Sequence, residues 1–241
     1  MPTLKGLVLC QLEKLITMNK FINILLLLIL FPVISFTIIV GFDIPLEFLK
    51  ISGANMPYIN EVFYVFAILI FLIGVRRSLK RWLGIRMVNQ TVRFQWTAPM
   101  GENRYKQSTL YLFLEAILHF FMATALYQIS DYSLPVVFVL VVLALDHVFF
   151  AIITKSKNLY RVGITSKAIV IADRDVKVVY FSGLRKVDKQ QQSLFFDYIK
   201  DLQISFPTDC INESFRAEFK EKLASKLDRD SIFFSESFKS F

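Results

Sequence analysis

The stretch that decides the fold is STLYLFLEAILHFFMATALYQI-SDYS-LPVVFVLVVLALDHVFFAIIT, residues 108–154. It contains two apolar runs, Ser108–Ile129 and Leu134–Thr154. Each is long enough for a helix to cross a bilayer core of about 30 Å, which takes about 20 apolar residues. Only Ser130–Ser133 separates the two runs. The pattern therefore predicts a tight antiparallel pair of transmembrane helices at 108–154.

Two further apolar runs precede this pair. Phe21–Phe42 contains no charge, and Ile59–Val75 carries only Glu61 near its start. The composition agrees, because 55% of the 241 residues are hydrophobic and only 20% are charged, whereas soluble domains carry about 25% charged residues. The two cysteines lie 200 positions apart, at Cys10 and Cys210, which excludes a disulfide scaffold or a zinc knuckle. We expect four spans, the first two within residues 21–75.

The Lys and Arg residues set the expected orientation, because positive flanks stay on the cytoplasmic side. Basic residues concentrate before the first span, between the second and third, and after the fourth. The turn 130–133 has none, and 43–58 has only Lys50. Four spans, with both termini cytoplasmic, satisfy every flank. The net charge of +8 lies largely where this rule requires it, so we expect no nucleic-acid partner.

The first 20 residues are expected to form an amphipathic leader. Leu4, Val8, Leu12 and Ile16 are one helical turn apart, as in a helix at a membrane interface. An alternative is that Met18 starts a signal peptide. The apolar run that follows is too long for one and has no small-residue cleavage site, which favours a retained first helix.

Residues 76–107 form a basic connector. Its first part, 76–88, has the pattern of a helix lying in the headgroup layer, with anionic lipid contacts expected from Arg76, Arg77, Lys80, Arg81, Trp82 and Arg86. An ordinary basic flank that sets topology explains the same residues. Thr91–Thr97 then alternates polar and apolar residues, which predicts a strand. Since one strand is not stable alone, its partner must come after the fourth span.

Residues 155–229 have the pattern of an α+β domain. Short apolar runs bounded by turn residues predict six strands, at 159–164, 167–172, 176–181, 184–188, 194–199 and 202–206. A helix is predicted from Glu213 to about Leu227, capped by Asn212, with Phe219 and Leu223 on its apolar stripe. The tail, 230–241, is rich in Ser and Phe and is expected to be loosely held or docked on the surface.

The segments YRVGITSKAIVI, residues 160–171, and VYFSGLRKV, residues 179–187, resemble bacterial PH-like membrane proteins, especially the YcxB-like group. The resemblance covers about residues 90–228. It implies a cytoplasmic PH-like β-barrel with a C-terminal helix, joined to a transmembrane hairpin in a membrane-anchored scaffold or regulator. It implies no chemistry, because such domains serve many tasks.

Four ionisable residues lie inside the last two spans: Glu115, His119, Asp146 and His147. Charges at bilayer depth cost about 2.5–3.5 kcal/mol each, so they usually pair inside the protein. Counted from the cytoplasmic ends, the four residues lie at similar depths. One hypothesis is a proton-bridged pair of Glu115 and Asp146, with one or both histidines, that joins the third helix to the fourth. A metal site and a proton or ion relay are alternatives. The simplest explanation is polar contact between helices, which needs only satisfied hydrogen bonds.

The sequence contains no GxSxG, HExxH or CxxC motif and no phosphate-binding glycine loop, and hence predicts no catalytic residue and no cofactor. Residues 155–241 contain 16 Lys/Arg and 12 Asp/Glu in dispersed positions, which favours a protein partner or self-association over a lipid-headgroup pocket. We expect a non-catalytic scaffold, regulator or immunity-type protein that also contacts anionic headgroups. The alternatives are proton or metal-ion transport by an oligomer and a membrane-embedded metalloenzyme.

Overall fold

A computed structural model describes residues 28–47, 50–199, 202–227 and 232–241. The predicted leader, 1–20, and the start of the first predicted span lie outside these residues. The chain divides into two compact units. Within the described residues, the helical unit comprises 28–47, 50–79 and 111–152, and the sheet unit comprises 80–110, 153–199, 202–227 and 232–241.

The apolar runs of the sequence form helices. In the described part of the chain, helix α1 covers Leu28–Gly41, and α2, α3 and α4 cover Ile59–Val88, Glu102–Ile129 and Leu134–Lys157. A two-stranded hairpin, β1 (45–46) and β2 (51–52), lies between α1 and α2. Helices α2, α3 and α4 are each long and apolar enough to cross a membrane, whereas α1 is shorter. Three candidate spans are therefore present among the described residues, and a fourth is not shown.

The connection between α3 and α4 is as short as predicted. Helix α3 ends at Ile129, α4 begins at Leu134, and a single 3-10 turn lies between them. The hydroxyl of Ser133 donates to the carbonyl oxygens of Leu126, at 3.0 Å, and Ser130, at 2.7 Å. These bonds help to satisfy the carbonyl groups at the end of α3, which lack partners within the helix. The predicted tight hairpin is confirmed.

The helical unit exposes much apolar surface. In the most apolar part of each helix, 44% of the α4 residues are buried, against 17% in α2 and 22% in α3. Leu72, Phe121 and Phe138 are 59%, 68% and 70% exposed. Because large exposed apolar patches are rare on soluble monomers, these faces suit lipid rather than water.

Helix α2 continues beyond the predicted end of the second span. It runs without interruption to Val88, so residues 76–88 are its last turns and not a separate interfacial helix, which corrects that prediction. The segment contains no proline, and a single glycine, Gly84, costs a helix only about 1 kcal/mol. That glycine also has a packing role, because a Cβ there would lie 1.8 Å from Cγ2 of Val176.

The sheet unit contains two four-stranded sheets, ordered β3-β4-β5-β6 and β10-β7-β8-β9. All the pairings are antiparallel except that of β10 with β7. The six strands predicted after the fourth span are all present, with ends shifted by no more than two residues. The sheets do not close into a barrel within the described residues, so a β domain is shown and a PH-like barrel is not. The strands are β3 Trp96–Pro99, β4 Arg161–Ile164, β5 Ala168–Ala172, β6 Val176–Tyr180, β7 Leu184–Gln190, β8 Ser193–Tyr198, β9 Gln203–Pro207 and β10 Phe233–Phe234.

The strand before the hairpin joins the sheet that follows it. Trp96 is opposite Ile164 and Pro99 is opposite Arg161 in the β3–β4 register. The predicted strand, 91–97, is thus displaced toward the C-terminus, because residues 91–93 form a 3-10 turn instead. The transmembrane hairpin is therefore an insertion between two paired strands.

Helix α5, Arg216–Lys226, packs against this sheet. A 3-10 turn precedes it, and the Asn212 side chain accepts a hydrogen bond from the Ser214 amide, as the predicted cap requires. Phe219 and Leu223 are fully buried, and the ring of Phe219 lies 5.5 Å from that of Trp96. The helix therefore buries the face that its apolar spacing predicts.

Replacing Phe219 with alanine should lower the free energy of unfolding of the sheet unit by about 3–5 kcal/mol, because a fully buried aromatic side chain leaves a cavity. Denaturant unfolding of the full chain in mild detergent, followed by tryptophan emission, measures the change. Glu218→Ala is the matched control, since its exposed neighbouring position should shift stability by no more than about 0.5 kcal/mol. Equal effects of the two substitutions would contradict the packing described here.

Candidate functional site

The helical unit contains an ion-pair cluster contributed by α2, α3 and α4. Nε2 of His147 lies 3.0 Å from Oε2 of Glu115, and Nη2 of Arg77 donates to Oε1 of Glu115 at 2.9 Å. The His147 side chain is 6% exposed, that of Glu115 is 22% and that of Arg77 is 43%. The acid therefore lies between a buried imidazole and a cation that reaches the surface.

Both histidines use the same nitrogen to bind their own helix. Nδ1 of His119 lies 2.6 Å from the Glu115 carbonyl oxygen, and Nδ1 of His147 lies 2.6 Å from that of Leu143. A carbonyl oxygen can only accept, so each Nδ1 must carry its proton. The two rings lie 5.2 Å apart at an interplanar angle of 31°. Only Nε2 of each ring is therefore available to exchange a proton or to bind another group.

This assignment determines how protons are counted in the cluster. With a proton already on Nδ1, the 3.0 Å contact between His147 and Glu115 is attractive only if a further proton lies on Nε2 or on the carboxyl group. Arg77 favours the carboxylate, since its guanidinium donates to the other oxygen. The cluster can therefore hold one proton between an imidazole and a carboxyl group, beside a fixed positive charge.

The structure brings together three of the four predicted intramembrane residues: Glu115, His119 and His147. Asp146 is half-buried on α4, and as the neighbour of His147 it points about 100° away around the helix. In the described ranges, 28–47, 50–199, 202–227 and 232–241, no group of three or more His, Cys, Asp or Glu side chains is arranged to hold a metal ion.

The six residues predicted to contact anionic lipid divide into different environments. Arg76 and Arg86 are exposed, and Trp82 is half-buried. The others are engaged or enclosed: Arg77 pairs with Glu115, Lys80 pairs with Asp175 at 3.1 Å, and Arg81 is 3% exposed. Helix α2 is packed over these turns, so a helical wheel alone overstates how many basic side chains reach the headgroups.

Sequence reasoning missed a second polar site, in the sheet unit. Asp173 is buried, and Oδ2 accepts from Nε and Nη2 of Arg104 at 3.1 and 2.8 Å. Its Oδ1 accepts from the Asp175 amide, so the β5–β6 turn is fixed from two sides. Asp173 was not among the predicted site residues, and Arg104, a basic residue at the start of α3, was the signal that could have pointed to it.

Two further groups close to this site, the Tyr160 hydroxyl and the Cys210 thiol, are unreactive near neutral pH. Burial raises the pKa of the Tyr160 hydroxyl to about 12, and burial raises the pKa of the Cys210 thiol to about 12 as well, with Asp173 adding to the effect. A thiol of that pKa stays protonated near neutral pH and is a poor nucleophile. Neither group supports an assignment of catalysis.

The ion-pair cluster should show energetic coupling between Arg77 and Glu115. We expect Arg77→Gln and Glu115→Gln each to lower the free energy of unfolding in detergent. The loss in the double variant should be smaller than the sum of the two single losses, by about 1 kcal/mol. Unfolding free energies of the unaltered protein, the two single variants and the double variant give the coupling. Glu61→Gln, an exposed acid on α2, is the control that should change little. Additive losses would mean that the contact contributes no net stability.

Comparisons of the chain with protein-family models, curated proteins and solved structures find no match. The resemblance to PH-like membrane proteins over about residues 90–228 therefore stays a prediction. The fold and the cluster are defined by the contacts given above.

Proposed function

We propose that the protein is a membrane-anchored, non-catalytic interaction protein. In this proposal it acts as a scaffold, regulator or immunity-type partner, and its four spans present the sheet unit as a PH-like domain to the cytoplasm from a bacterial inner membrane. The pairing of β3 with β4 carries the proposal. Because the chain between these strands is the α3–α4 hairpin, the sheet is joined at two points to candidate membrane spans.

Two ion pairs inside the sheet unit hold the β5–β6 turn. Lys80, near the end of α2, pairs with Asp175, and Arg104, at the start of α3, pairs with Asp173. The β5–β6 turn is thus bound to residues of two helices that continue toward the candidate spans. A shift of either helix would act on this turn, which suits a regulator.

The surface of the sheet unit offers an edge for a protein partner. Strand β6 is the last strand of its sheet in the described residues, and Tyr180 at its end is 39% exposed. Extended peptides commonly add to such edges. Arg76 and Arg86, both exposed, are the residues we assign to anionic headgroups, each worth about 1 kcal/mol near a charged membrane surface.

A photo-crosslinking residue at Tyr180 tests the proposal in intact membranes. We expect light-dependent adducts with a protein, identified by mass spectrometry. The same residue at Leu83, exposed on α2 one turn before Arg86, should give anionic phospholipid adducts instead and serves as the control. Lipid adducts at Tyr180 would mean that the sheet unit binds the membrane surface, and no adduct at Tyr180 would contradict the interaction role.

The ion-pair cluster favours one second candidate, proton transfer along the helical unit, because it can hold a proton between Glu115 and His147. Under this candidate, protein reconstituted in liposomes carries a proton flux that a trapped pH dye detects. Glu115→Gln should abolish the flux in folded protein, and Glu61→Gln should preserve it. If the unaltered protein carries no flux, the cluster is a structural contact between helices.

A further inference from the structure

Residues 232–241, the described part of the tail, complete one of the two sheets. Strand β10 pairs in parallel with β7, with Phe233 opposite Lys186 and Phe234 opposite Val187. The Ser235 amide extends the pairing by donating to the Val187 carbonyl oxygen at 3.1 Å. Without the tail, β7 would be an edge strand with open hydrogen-bonding groups.

Aromatic anchors hold the tail more firmly than its short strand. Phe238 and Phe241 are 3% and 8% exposed, and their rings lie 6.4 Å apart. The guanidinium of Arg216 lies 4.7 Å from the centre of the Phe241 ring, and Nζ of Lys189 lies 5.6 Å from it. These are cation–π distances, so two cations, one from β7 and one from α5, hold the Phe241 ring.

A polar contact fixes the position of the tail between its strand and its anchors. The hydroxyl of Ser237 donates to Oδ1 of Asp188 at 2.9 Å, and Nζ of Lys186 lies 2.8 Å from Oδ2. The lysine and the tail serines hold the pKa of Asp188 well below its usual range, so the carboxylate is ionised at neutral pH. Any added negative charge at position 237 would face it directly.

Strand addition, two aromatic anchors and one polar contact are the features of a bound peptide. Residues 228–231 link the tail covalently to the segment that contains α5, and all of the tail's described contacts are non-covalent. The same contacts are available to the tail of another copy, because the edge and the tail are identical in every copy and exchange requires no new complementarity.

We propose that the β7 edge is a self-association site, occupied by the tail of a second copy of this chain. The proposal rests on the proposed function in one respect, that both copies lie in the same membrane. Confinement to one membrane raises the effective concentration of tail near each edge. The tail then exchanges between copies with the register seen within one chain, and each exchange links two sheet units.

Single-cysteine copies test this directly. Two differently tagged full-length chains, each with Cys10→Ala and Cys210→Ala, are co-expressed, one with Lys186→Cys and the other with Phe233→Cys. These positions face each other in the β10–β7 register, and Phe233 is 63% exposed, so its replacement leaves the buried anchors in place. After isolated membranes are treated with a mild thiol oxidant, which accepts the two electrons, we expect a disulfide-linked heterodimer that reducing agent separates. Lys177→Cys on β6, in place of Lys186→Cys, is the control that should give none.

A chain with both cysteines and two substitutions in the tail make the outcome decisive. A chain carrying both cysteines reports docking within one copy: if it closes internally while the mixed copies give no heterodimer, exchange is excluded. If neither disulfide forms, the β7 edge is not the docking site and the proposal fails.

Ser237→Asp should lower the heterodimer yield several-fold through repulsion from Asp188, whereas Ser240→Asp, exposed on the same tail, should not. The heterodimer forms between two copies of this chain and needs no other protein at Tyr180. The disulfide experiment and the crosslinking experiment at Tyr180 can therefore fail independently of each other.

Discussion

Strand β3 is four residues long and depends on hydrogen bonds from a partner, because so short a strand has no stability of its own. That partner, β4, lies on the far side of α3 and α4 in the chain, and the four pairs from Trp96–Ile164 to Pro99–Arg161 join them. The pairing also fixes where α3 begins. The Met100 amide donates to the Tyr160 carbonyl oxygen at 3.1 Å, and a Cβ on Gly101 would lie 2.3 Å from the Asp209 carbonyl oxygen, so the helix begins at Glu102.

Local spacing was sufficient to predict much of the fold. The four-residue turn at Ser130–Ser133 correctly predicted the end of α3 and the start of α4. Turn residues predicted the ends of six strands to within two positions. The alternation of Thr91–Thr97 was misleading, because alternation does not show which residues face a partner, and β3 takes its position from β4. Docking on the surface was one of the two expectations for the tail, but the way it docks was beyond such reasoning, since a two-residue strand has no periodicity and the aromatic anchors contact residues far away in the chain.

The candidate site shows the same division between local and distant information. Counting residues from the helix ends placed the four ionisable residues at similar depths and suggested Glu115 with Asp146 as the first pair, whereas the contact that the structure gives Glu115 across the hairpin is with His147. Arg77 was assigned to lipid because the second span was ended at Val75. Once α2 continues to Val88, Arg77 lies on a membrane-crossing helix, where a cation is expected to find an acid. Glu115, an acid inside the third span, was the signal for a basic partner on another helix.

The tail is bound mainly through side chains. Two residues of parallel pairing supply few backbone hydrogen bonds, whereas Phe238 and Phe241 bury nearly all of their surface. Burying one such ring contributes about 1.5–3 kcal/mol, so the two together contribute about 3–6 kcal/mol. This is enough to cover an edge that would otherwise be open to unwanted pairing, and it is a large share of the stability of a folded domain, about 5–15 kcal/mol. The proposed exchange between copies therefore requires each tail to bury the same two rings on the second copy, so that the anchoring free energy is recovered.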